Sequence, residues 1–241
     1  MEIIIYTLVM AHISMMCTTV YIHRGIAHRG LEFHPVLSHI LRFLIFVLDG
    51  ADVRGWSTTH RIHHRYTEQH GDPHSPYIQG AKEVFWDNFV HTMYRRYKSK
   101  WEPEWVRTYG SGAPDDWIEK NLYRPYHQYG VFILLALNLY LWGWWGILSW
   151  FVIIAWTPFF SNIFVNGVGH WWGYRNYKTR DETKNFSPLG LLICGEEMHN
   201  NHHGEPGNPK FSRKWFEFDI GWMYIKIFES LRLLKIVERT N

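Results

Sequence analysis

The histidines of this 241-residue chain are concentrated in three short motifs. Residues 23–28 read HRGIAH, residues 60–64 read HRIHH and residues 199–203 read HNNHH. On a helix, side chains three and four positions apart share one face, so each of the last two motifs directs three imidazoles the same way. Neutral imidazole is the commonest metal ligand among protein side chains. Eight such imidazoles exceed the roughly four to six positions around one transition metal, which predicts a site holding more than one ion.

A fourth motif, NGVGH at residues 166–170, adds candidates for the same site. Asn166 and His170 are four positions apart, so on a helix they can face one metal ion. The two glycines between them permit a close approach of the backbone. We therefore include both side chains among the candidate metal-binding residues.

Other polar side chains lie close to these motifs. Glu196 and Glu197 directly precede the third motif, where they can orient a ligand histidine, carry protons, or act only on the charge at a helix start. His12 lies inside an apolar segment, and we expect it to be a hydrogen-bonded core residue. His70 and His74 fall outside the ligand spacing, so hydrogen bonding around the site is expected of them rather than metal binding.

Two stretches without Asp, Glu, Lys or Arg must position the motifs, at residues 3–23 and 125–174. The first accommodates one membrane-spanning helix over residues 3–22. In the second, residues 129–165 predict two short spans of about 17 to 20 residues, joined by a Trp-rich turn near residues 143–146. The sequence therefore predicts an all-α integral membrane protein with about three transmembrane helices.

The predicted hairpin leaves the membrane on the side where it enters, so all the histidine motifs share one face. Fourteen Lys and Arg lie between residues 22 and 124, and 11 follow residue 173. The positive-inside rule places this cationic side in the cytoplasm. We therefore predict a multi-pass membrane protein whose active site lies in a cytoplasmic helical cap. Cysteines introduced at Lys98 or Thr240 are then expected to resist labelling from outside the cell.

Three more helices are predicted in the cap. Residues 36–48 form a short apolar helix, broken by Arg42, that lies in the membrane interface or packs under the metal site. Residues 56–74 carry the second motif, and Pro73 ends their helix. Residues 220–236 form an amphipathic helix. Together with the spans, these elements are predicted to make residues 1–241 a single domain.

Composition excludes several classes of protein. The net charge is only +3 and no basic run interleaved with aromatics appears, so nucleic acid is not an expected partner. Cys17 and Cys194 lie far apart and provide neither a disulfide framework nor a cysteine-based metal motif.

The four motifs, in this order, resemble those of the membrane fatty-acid desaturases of the stearoyl-CoA (delta-9) type, and the short first segment resembles bacterial-type members. The resemblance covers nearly the whole chain. It implies two iron ions (Fe²⁺), bound by nine histidines and by a water that Asn166 holds. It also matches Trp56 to a tryptophan that lies against the acyl chain. The implied histidine ligands are His23, His28, His60, His63, His64, His170, His199, His202 and His203.

The resemblance implies an O₂-dependent enzyme that inserts a cis double bond, expected at the delta-9 position, into a saturated fatty acyl chain. The chain has no room for a fused cytochrome b5 domain, so we expect an external electron donor of the ferredoxin, rubredoxin or cytochrome b5 type. Larger relatives place Arg-Asp before the second motif, where they contact coenzyme A. Thr58 and Thr59 stand there in this chain, which leaves both acyl-CoA and acyl-lipid substrates open.

The first helix is the expected closed end of the acyl tunnel. Ala11 and Met15 lie on its face toward His23, because residues three or four apart share a helix face. In the family, a bulky residue on this helix limits chain length, and counting back without gaps puts Ala11 at that place. A small residue there predicts tolerance of acyl chains of C18 or longer, unless Ala11 faces lipid instead.

Two other functions stay open at this stage. A related membrane hydroxylase or ketolase acting on alkanes, sterols or carotenoids would share the di-iron site, although the motif spacing and NGVGH fit desaturases better. A membrane metal-binding or transport protein without redox chemistry would need polar residues along its spans. The charge-free stretch at residues 125–174 argues against this second alternative.

Overall fold

The computed structural model describes residues 1–80, 82–87, 89 and 103–237, and this part of the chain is mainly helical. Lys98 and Thr240 lie outside the described residues. The α-helices are α1 Glu2–Met16, α2 Pro35–Leu48, α3 Val53–Tyr66, α4 Pro76–Gln79, α5 Pro103–Tyr109, α6 Arg124–Tyr126, α7 Val131–Trp142, α8 Trp145–Phe159, α9 His199–Gly204 and α10 Ile220–Ser230. The π-helices are Cys17–Ala27, Glu83–Asp87, Glu119–Tyr123 and Phe160–Val165, and the 3₁₀-helices are His127–Tyr129 and Val168–His170. The strands are β1 Leu31–Phe33, β2 Leu189–Gly190, β3 Phe218–Asp219 and β4 Leu234–Ile236.

Within the described residues, two helices are long and apolar enough to cross a membrane. Helix α1 continues into the π-helix Cys17–Ala27, which makes one helix of 26 residues, Glu2–Ala27. The other is Trp145–His170, also 26 residues long. The sequence predicts three spans, so length and composition support two of them.

The first arm of the hairpin is shorter than predicted. Helix α7 has 12 residues, a rise of about 18 Å at 1.5 Å per residue, against roughly 30 Å of hydrocarbon. Before it, the chain is divided into short turns at Arg124–Tyr126 and His127–Tyr129. Gly130 then packs directly on α2, where an added Cβ would clash with the Phe46 carbonyl oxygen.

The turn between α7 and α8 confirms the predicted hairpin. Gly143 ends α7 with a φ of 56°, a left-handed conformation that glycine adopts without steric cost.

Small polar side chains join the first helix to α8. The hydroxyls of Thr7 and Ser149 are 2.7 Å apart, and those of Ser14 and Thr157 are 3.2 Å apart. Such hydrogen bonds connect helices where no water is available.

Helix α2 confirms the predicted apolar helix, but Arg42 does not interrupt it. The Arg42 side chain is buried and donates to Glu119 at 3.1 Å, and it also lies 2.6 Å from an Asp116 oxygen. A buried guanidinium is tolerated because two carboxylates pair with it.

Helix α3 ends at Tyr66, well before Pro73, so the predicted end of this helix is wrong. Asp52 caps its start by accepting from the Arg54 N–H. After the helix, Glu68 takes a left-handed φ of 58° and its N–H donates to the Asp72 carboxylate at 2.7 Å. The hydrogen bond from the Glu68 N–H to the Asp72 side chain thus ends the helix several residues before Pro73.

The predicted amphipathic helix over residues 220–236 also ends early, at Ser230. Arg232 has a φ of 58°, and β4 then pairs with β1 in antiparallel register, with Leu31 opposite Ile236. Strand pairing replaces the last helical turns.

One buried cluster holds the π-helix Cys17–Ala27 in place. Its apolar side chains pack against α2, α3, α10 and β4. The chain's first histidine motif is therefore fixed from several sides by apolar packing. The buried members are Cys17, Val20, Tyr21, Ile22, Leu31, Leu37, Leu41, Ile45, Val53, Ile225 and Leu234.

Candidate metal centre

Five histidines from three helices form the first of two imidazole groups. Their nearest ring nitrogens all lie within 4.8 Å of one another. The Nε2 atoms are 2.7 Å apart for His28 and His60, 3.0 Å for His23 and His202, and 2.9 Å for His64 and His202. These spacings are what several ligands around one ion require. The members of the first group are His23, His28, His60, His64 and His202.

A π-helix explains how the first motif contributes two ligands. His23 and His28 are five positions apart, which on an α-helix would separate them by roughly 140° at 3.6 residues per turn. In a π-helix each N–H bonds to the carbonyl five residues earlier. The His28 N–H donates to the His23 carbonyl at 3.0 Å, so the two side chains lie one above the other.

Four histidines form the second group, again with ligand atoms within 4.8 Å. The Nε2 atoms of His170 and His199 are 3.1 Å apart. Those of His63 and His203 are buried and have no hydrogen-bond partner in the described structure. Buried polar atoms normally have partners, and a metal ion here would supply one. The members of the second group are His63, His170, His199 and His203.

Each triplet motif divides its ligands between the two groups. On α3, His60 and His64 face the first group, whereas His63 faces the second. On α9, His202 belongs to the first group, whereas His199 and His203 belong to the second. The two groups are therefore adjacent and share two short helices.

Carboxylates hold four of the nine rings by their Nδ1 atoms. In the second group, His63 donates to Asp72 at 2.9 Å, His170 to Glu68 at 3.0 Å and His203 to Asp181 at 2.9 Å. In the first group, His23 donates to Glu196 at 2.6 Å. A carboxylate at Nδ1 fixes the tautomer and leaves Nε2 free to bind a metal.

Sequence reasoning found only Glu196 among these carboxylates, as a residue that orients a ligand histidine. It missed Glu68, Asp72 and Asp181. Their sole sequence signal is proximity to a polar turn after a motif or between motifs.

Burial keeps the imidazoles neutral, the form that binds metal. It lowers the pKa of His60, His64, His199 and His202 well below the usual value, and that of His203 to about 4. Burial raises the pKa of the Asp72 carboxyl, but the interactions with His63, with His74 and with the Glu68 N–H together outweigh burial and hold that pKa well below the ordinary range.

The remaining polar residues of the third motif build its supporting loop. Glu197 accepts from the backbone N–H groups of Leu192, Ile193 and Gly195, so it shapes the turn that leads into α9. The Asn201 side chain donates to the Phe211 carbonyl and to Glu217. Asn201, a residue of the motif itself, thereby fixes α9 to the segment that contains Phe211 and Glu217.

Asn166 and His170 both lie at the end of the long helix Trp145–His170, but the helix is not α-helical there, so the predicted i, i+4 α-helical geometry is not formed. The π-helix ends at Val165, and a 3₁₀ turn then carries His170. Asn166 is half-buried, and its assignment to a metal-bound water stays a prediction. Gly169 does provide the expected close approach, because a Cβ there would lie 3.2 Å from His199 Cδ2.

The three predicted substrate residues lie in different surroundings. Trp56 is half-buried and stacks on the His60 ring at a centroid distance of 4.9 Å. Ala11 and Met15 are fully buried, so neither faces lipid.

The histidines outside the motifs lie in three different surroundings, and the hydrogen bonding expected of His70 around the site is not seen among the described residues. His12 is half-buried and makes a hydrogen bond to the Tyr224 hydroxyl at 2.9 Å, which confirms the predicted hydrogen bond but not full burial in the core. His70 is exposed and outside both groups. His74 lies with His63 and Asp72 at the edge of the second group.

These features define a class: a helical protein with a buried, two-part centre of neutral imidazoles. Their chemistry fits divalent first-row metal ions, for which imidazole is a suitable ligand.

Comparison with known proteins narrows this class. Residues 2–218 match the family model for fatty acid desaturases, described as "Fatty acid desaturase". The chain is 30% identical over 219 residues to "Delta-9 acyl-lipid desaturase 2" of Arabidopsis thaliana, covering 89% of this chain and 68% of the relative. It is 33% identical over 224 residues to "Acyl-CoA C20 Delta5-desaturase" of Anemone leveillei, covering 90% and 67%.

The chain therefore belongs to the fatty acid desaturase family. It is a fatty acyl desaturase, an oxidoreductase of lipid metabolism, and the resemblance predicted from its four motifs is confirmed. Members of this membrane-associated family generally use iron, and both histidine groups can hold a metal ion.

Proposed function

We propose that this chain is a di-iron desaturase that inserts a cis double bond, at the delta-9 position, into a saturated fatty acyl chain. The observation that carries the proposal is the separation of nine buried or half-buried imidazoles into groups of five and four. We assign one iron ion to each group, and Asn166 holds a water at the second. The delta-9 position is supported by similarity to "Delta-9 acyl-lipid desaturase 2".

When bound, the iron ions supply the oxidising power that unactivated methylenes need, by reducing O₂. Overall, one O₂, two electrons and two protons are consumed, two hydrogens leave the acyl chain, and two water molecules form. The residues of this chain orient and protect that chemistry. Neutral rings held by Glu68, Asp72, Asp181 and Glu196 keep a fixed geometry. Burial of the rings excludes water that would allow side reactions.

Trp56 is the proposed contact for the acyl chain beside the first group. Its indole stacks on His60 and so presents an apolar face next to a ligand. Thr58 and Thr59 donate their hydroxyls to carbonyls of their own helix, Arg54 and Gly55. They therefore offer no charge to coenzyme A, and an acyl-lipid or another acyl thioester fits this surface.

We further propose that the side-chain size at Ala11 and Met15 sets the acyl chain length, and that the small Ala11 admits chains of C18 or longer. Both are buried between helices, where added bulk occupies space that a chain end would use. Ala11→Trp is expected to shift products toward shorter chains at unchanged iron content, measured by gas chromatography of total fatty acids. Ile5→Trp, at an exposed position of the same helix, is the control. Equal product lengths in Ala11→Trp and wild type contradict this assignment.

The chain is proposed to be one domain with multiple membrane passes and a cytoplasmic site. Two helices of sufficient length and apolarity, the basic excess on the site side and membership in a membrane-associated family support this placement. Electrons then come from a separate donor of the ferredoxin, rubredoxin or cytochrome b5 type.

Expression in a host of defined lipid composition tests the function. Mass spectrometry with double-bond localisation should show new cis-monounsaturated chains, and acyl-lipid and acyl-CoA pools analysed separately identify the carrier. His63→Ala should abolish the product, whereas His70→Ala, at an exposed histidine outside both groups, should retain it. Hydroxylated or keto products, or full activity of His63→Ala, would overturn the proposal.

A further inference from the structure

Six large apolar side chains form an exposed patch on two segments that meet at the β2–β3 pair. Leu189 lies opposite Phe218 in that pair, and the Phe218 N–H donates to the Pro188 carbonyl at 2.9 Å. The side chains are 41% to 96% exposed, with Trp215 the most exposed. We call this the apolar patch; its members are Leu189, Leu191, Leu192, Trp215, Phe216 and Phe218.

The apolar patch adjoins the two helices that can cross a membrane. The residues that follow its leucines, Ile193 and Cys194, are buried in a cluster with Met15 of the first helix and Val165 of the second. The same loop begins at Phe186, whose ring lies 6.3 Å from that of Phe164. The exposed leucines therefore sit beside the spans rather than at the far side of the cap.

Two further exposed aromatic side chains lie at the end of the second long helix, close to the apolar patch. Trp171 and Trp172 directly follow the span Trp145–His170 and are 69% and 65% exposed. The Phe216 ring of the apolar patch lies 6.2 Å from Tyr174, just after them in sequence. Tryptophan is enriched where a protein surface meets the boundary of a bilayer.

Cations flank the apolar patch. Lys210 and Lys214 are exposed, and neither has a carboxylate within ion-pair distance in the part of the chain that the structure describes. Arg213, between them, pairs with Glu205 at 3.1 Å. Apolar side chains bordered by unpaired lysines are complementary to anionic headgroups over hydrocarbon.

We propose that the apolar patch is a membrane anchor, seated in the headgroup–acyl boundary of an anionic bilayer beside the spanning helices. The inference rests on the membrane placement proposed above. Continuity with the spans favours lipid over a protein partner, because any partner would have to share the bilayer boundary. The anchor fixes the loop that carries Glu196 and α9 at the membrane surface, so the metal centre stays at a set depth from its lipid-borne substrate.

Site-directed fluorescence on the full chain in phosphatidylcholine–phosphatidylglycerol vesicles tests the anchor. Cys17 and Cys194 are buried, so an NBD label can be directed to Leu191→Cys or Trp215→Cys. Lys178→Cys, at an exposed polar position of the cap, is the aqueous control, and Phe151→Cys, on the exposed face of α8, is the lipid control. We expect several-fold stronger quenching by lipid-attached nitroxide at Leu191 and Trp215 than at Lys178.

The double variant Lys210→Gln/Lys214→Gln is expected to lower that quenching in anionic vesicles but not in neutral ones. If the Phe151 label is quenched by lipid while the Leu191 and Trp215 labels match Lys178, the anchor is overturned and the membrane placement stands. If Phe151 also matches Lys178, both are overturned. Shielding of the patch labels in detergent that depends on protein concentration would identify a second copy as the occupant and likewise overturn the anchor. The product assay on the same vesicles reports separately on the desaturase function.

Discussion

At the scale of single residues, the carboxylates behind the histidines distinguish the two metal positions. Three of them, Glu68, Asp72 and Asp181, contact the four-histidine group, whereas Glu196 contacts the five-histidine group. Asp72 and Asp181 also accept hydrogen bonds from their own turns. Glu68 and Glu196 are compared as the test pair, because each contacts a ring of a different group; Glu68 also accepts from the Glu182 N–H at 2.8 Å.

Glu68→Gln is expected to weaken metal binding at the second group by about 10- to 100-fold. The amide keeps an acceptor for His170 but removes the negative charge that makes the ring a better ligand. Iron per chain, measured by mass spectrometry after dialysis against a weak chelator, should fall by about one half, as the other group keeps its ion.

Glu196→Gln is the matched variant, and it should instead empty the first group. Mössbauer spectroscopy of the wild type should show two distinct iron environments. Glu68→Gln and Glu196→Gln should each lose a different one of the two. If both variants retain full iron, or both lose the same component, the assignment of these carboxylates fails.

The i, i+3 and i+4 spacing predicted that the histidines of the second and third motifs lie on one helix face each, and the family resemblance supplied the full set of nine. The structure brings all nine together but divides each triplet between two groups. The carboxylates could not be predicted in this way. Glu68 reaches His170 across 102 residues and Asp181 reaches His203 across 22. Each of these contacts depends on how a turn is folded, which spacing does not encode.

At the scale of elements, the π-helix Cys17–Ala27 is the feature that sequence could not supply. An α-helix there would direct His23 and His28 apart, so the five-residue spacing of the first motif makes sense only in the π register. Apolar patterning located α2 and the hairpin turn correctly. It misplaced the ends of α3 and α10, because the turns at Glu68 and Arg232 and the β1–β4 pairing override helical periodicity.

A buried ion pair fastens this π-helix to α10. Arg24 donates to Asp219 at 3.1 Å and to the Cys194 carbonyl, and both charged side chains are fully buried. The guanidinium also lies 3.9 Å from the centre of the Phe211 ring. Asp219 in turn caps α10 by accepting from the Trp222 N–H. Arg24 of the first motif is thus linked to the start of α10 and, through the Cys194 carbonyl, to the loop that precedes the third motif.

Asp219→Asn is expected to destabilise the protein by about 3–5 kcal/mol, because it leaves a buried guanidinium without its anion. Thermal unfolding in detergent should show a large drop in the midpoint. The double variant Arg24→Gln/Asp219→Asn removes both charges and should recover part of the loss. If the double variant loses as much unfolding free energy as the two single variants added together, a specific Arg24–Asp219 pair is excluded.

At the scale of the whole molecule, the charge-free stretches decide the arrangement. The 26-residue helices Glu2–Ala27 and Trp145–His170 both carry candidate metal-binding histidines near their C-terminal ends, His23 and His170, so both deliver histidines to the same centre. Helix α7 enters and α8 returns through Gly143, which brings the chain back to that side. Because α7 has only 12 residues, the short turns before it, Arg124–Tyr126 and His127–Tyr129, must supply the rest of the length that a membrane crossing requires. That requirement is invisible in a hydropathy pattern alone.

The proposed topology places the α7–α8 turn outside the cell and the metal cap inside. Trp144 in the turn is 84% exposed and Lys178 in the cap is exposed, whereas Cys17 and Cys194 are buried. In intact cells, a membrane-impermeant maleimide should therefore label Trp144→Cys, while Lys178→Cys should react only after permeabilisation. The parent chain, without an introduced cysteine, should stay unlabelled in both conditions. Labelling of Lys178→Cys in intact cells would place the histidine motifs outside, against the basic excess on their side of the chain.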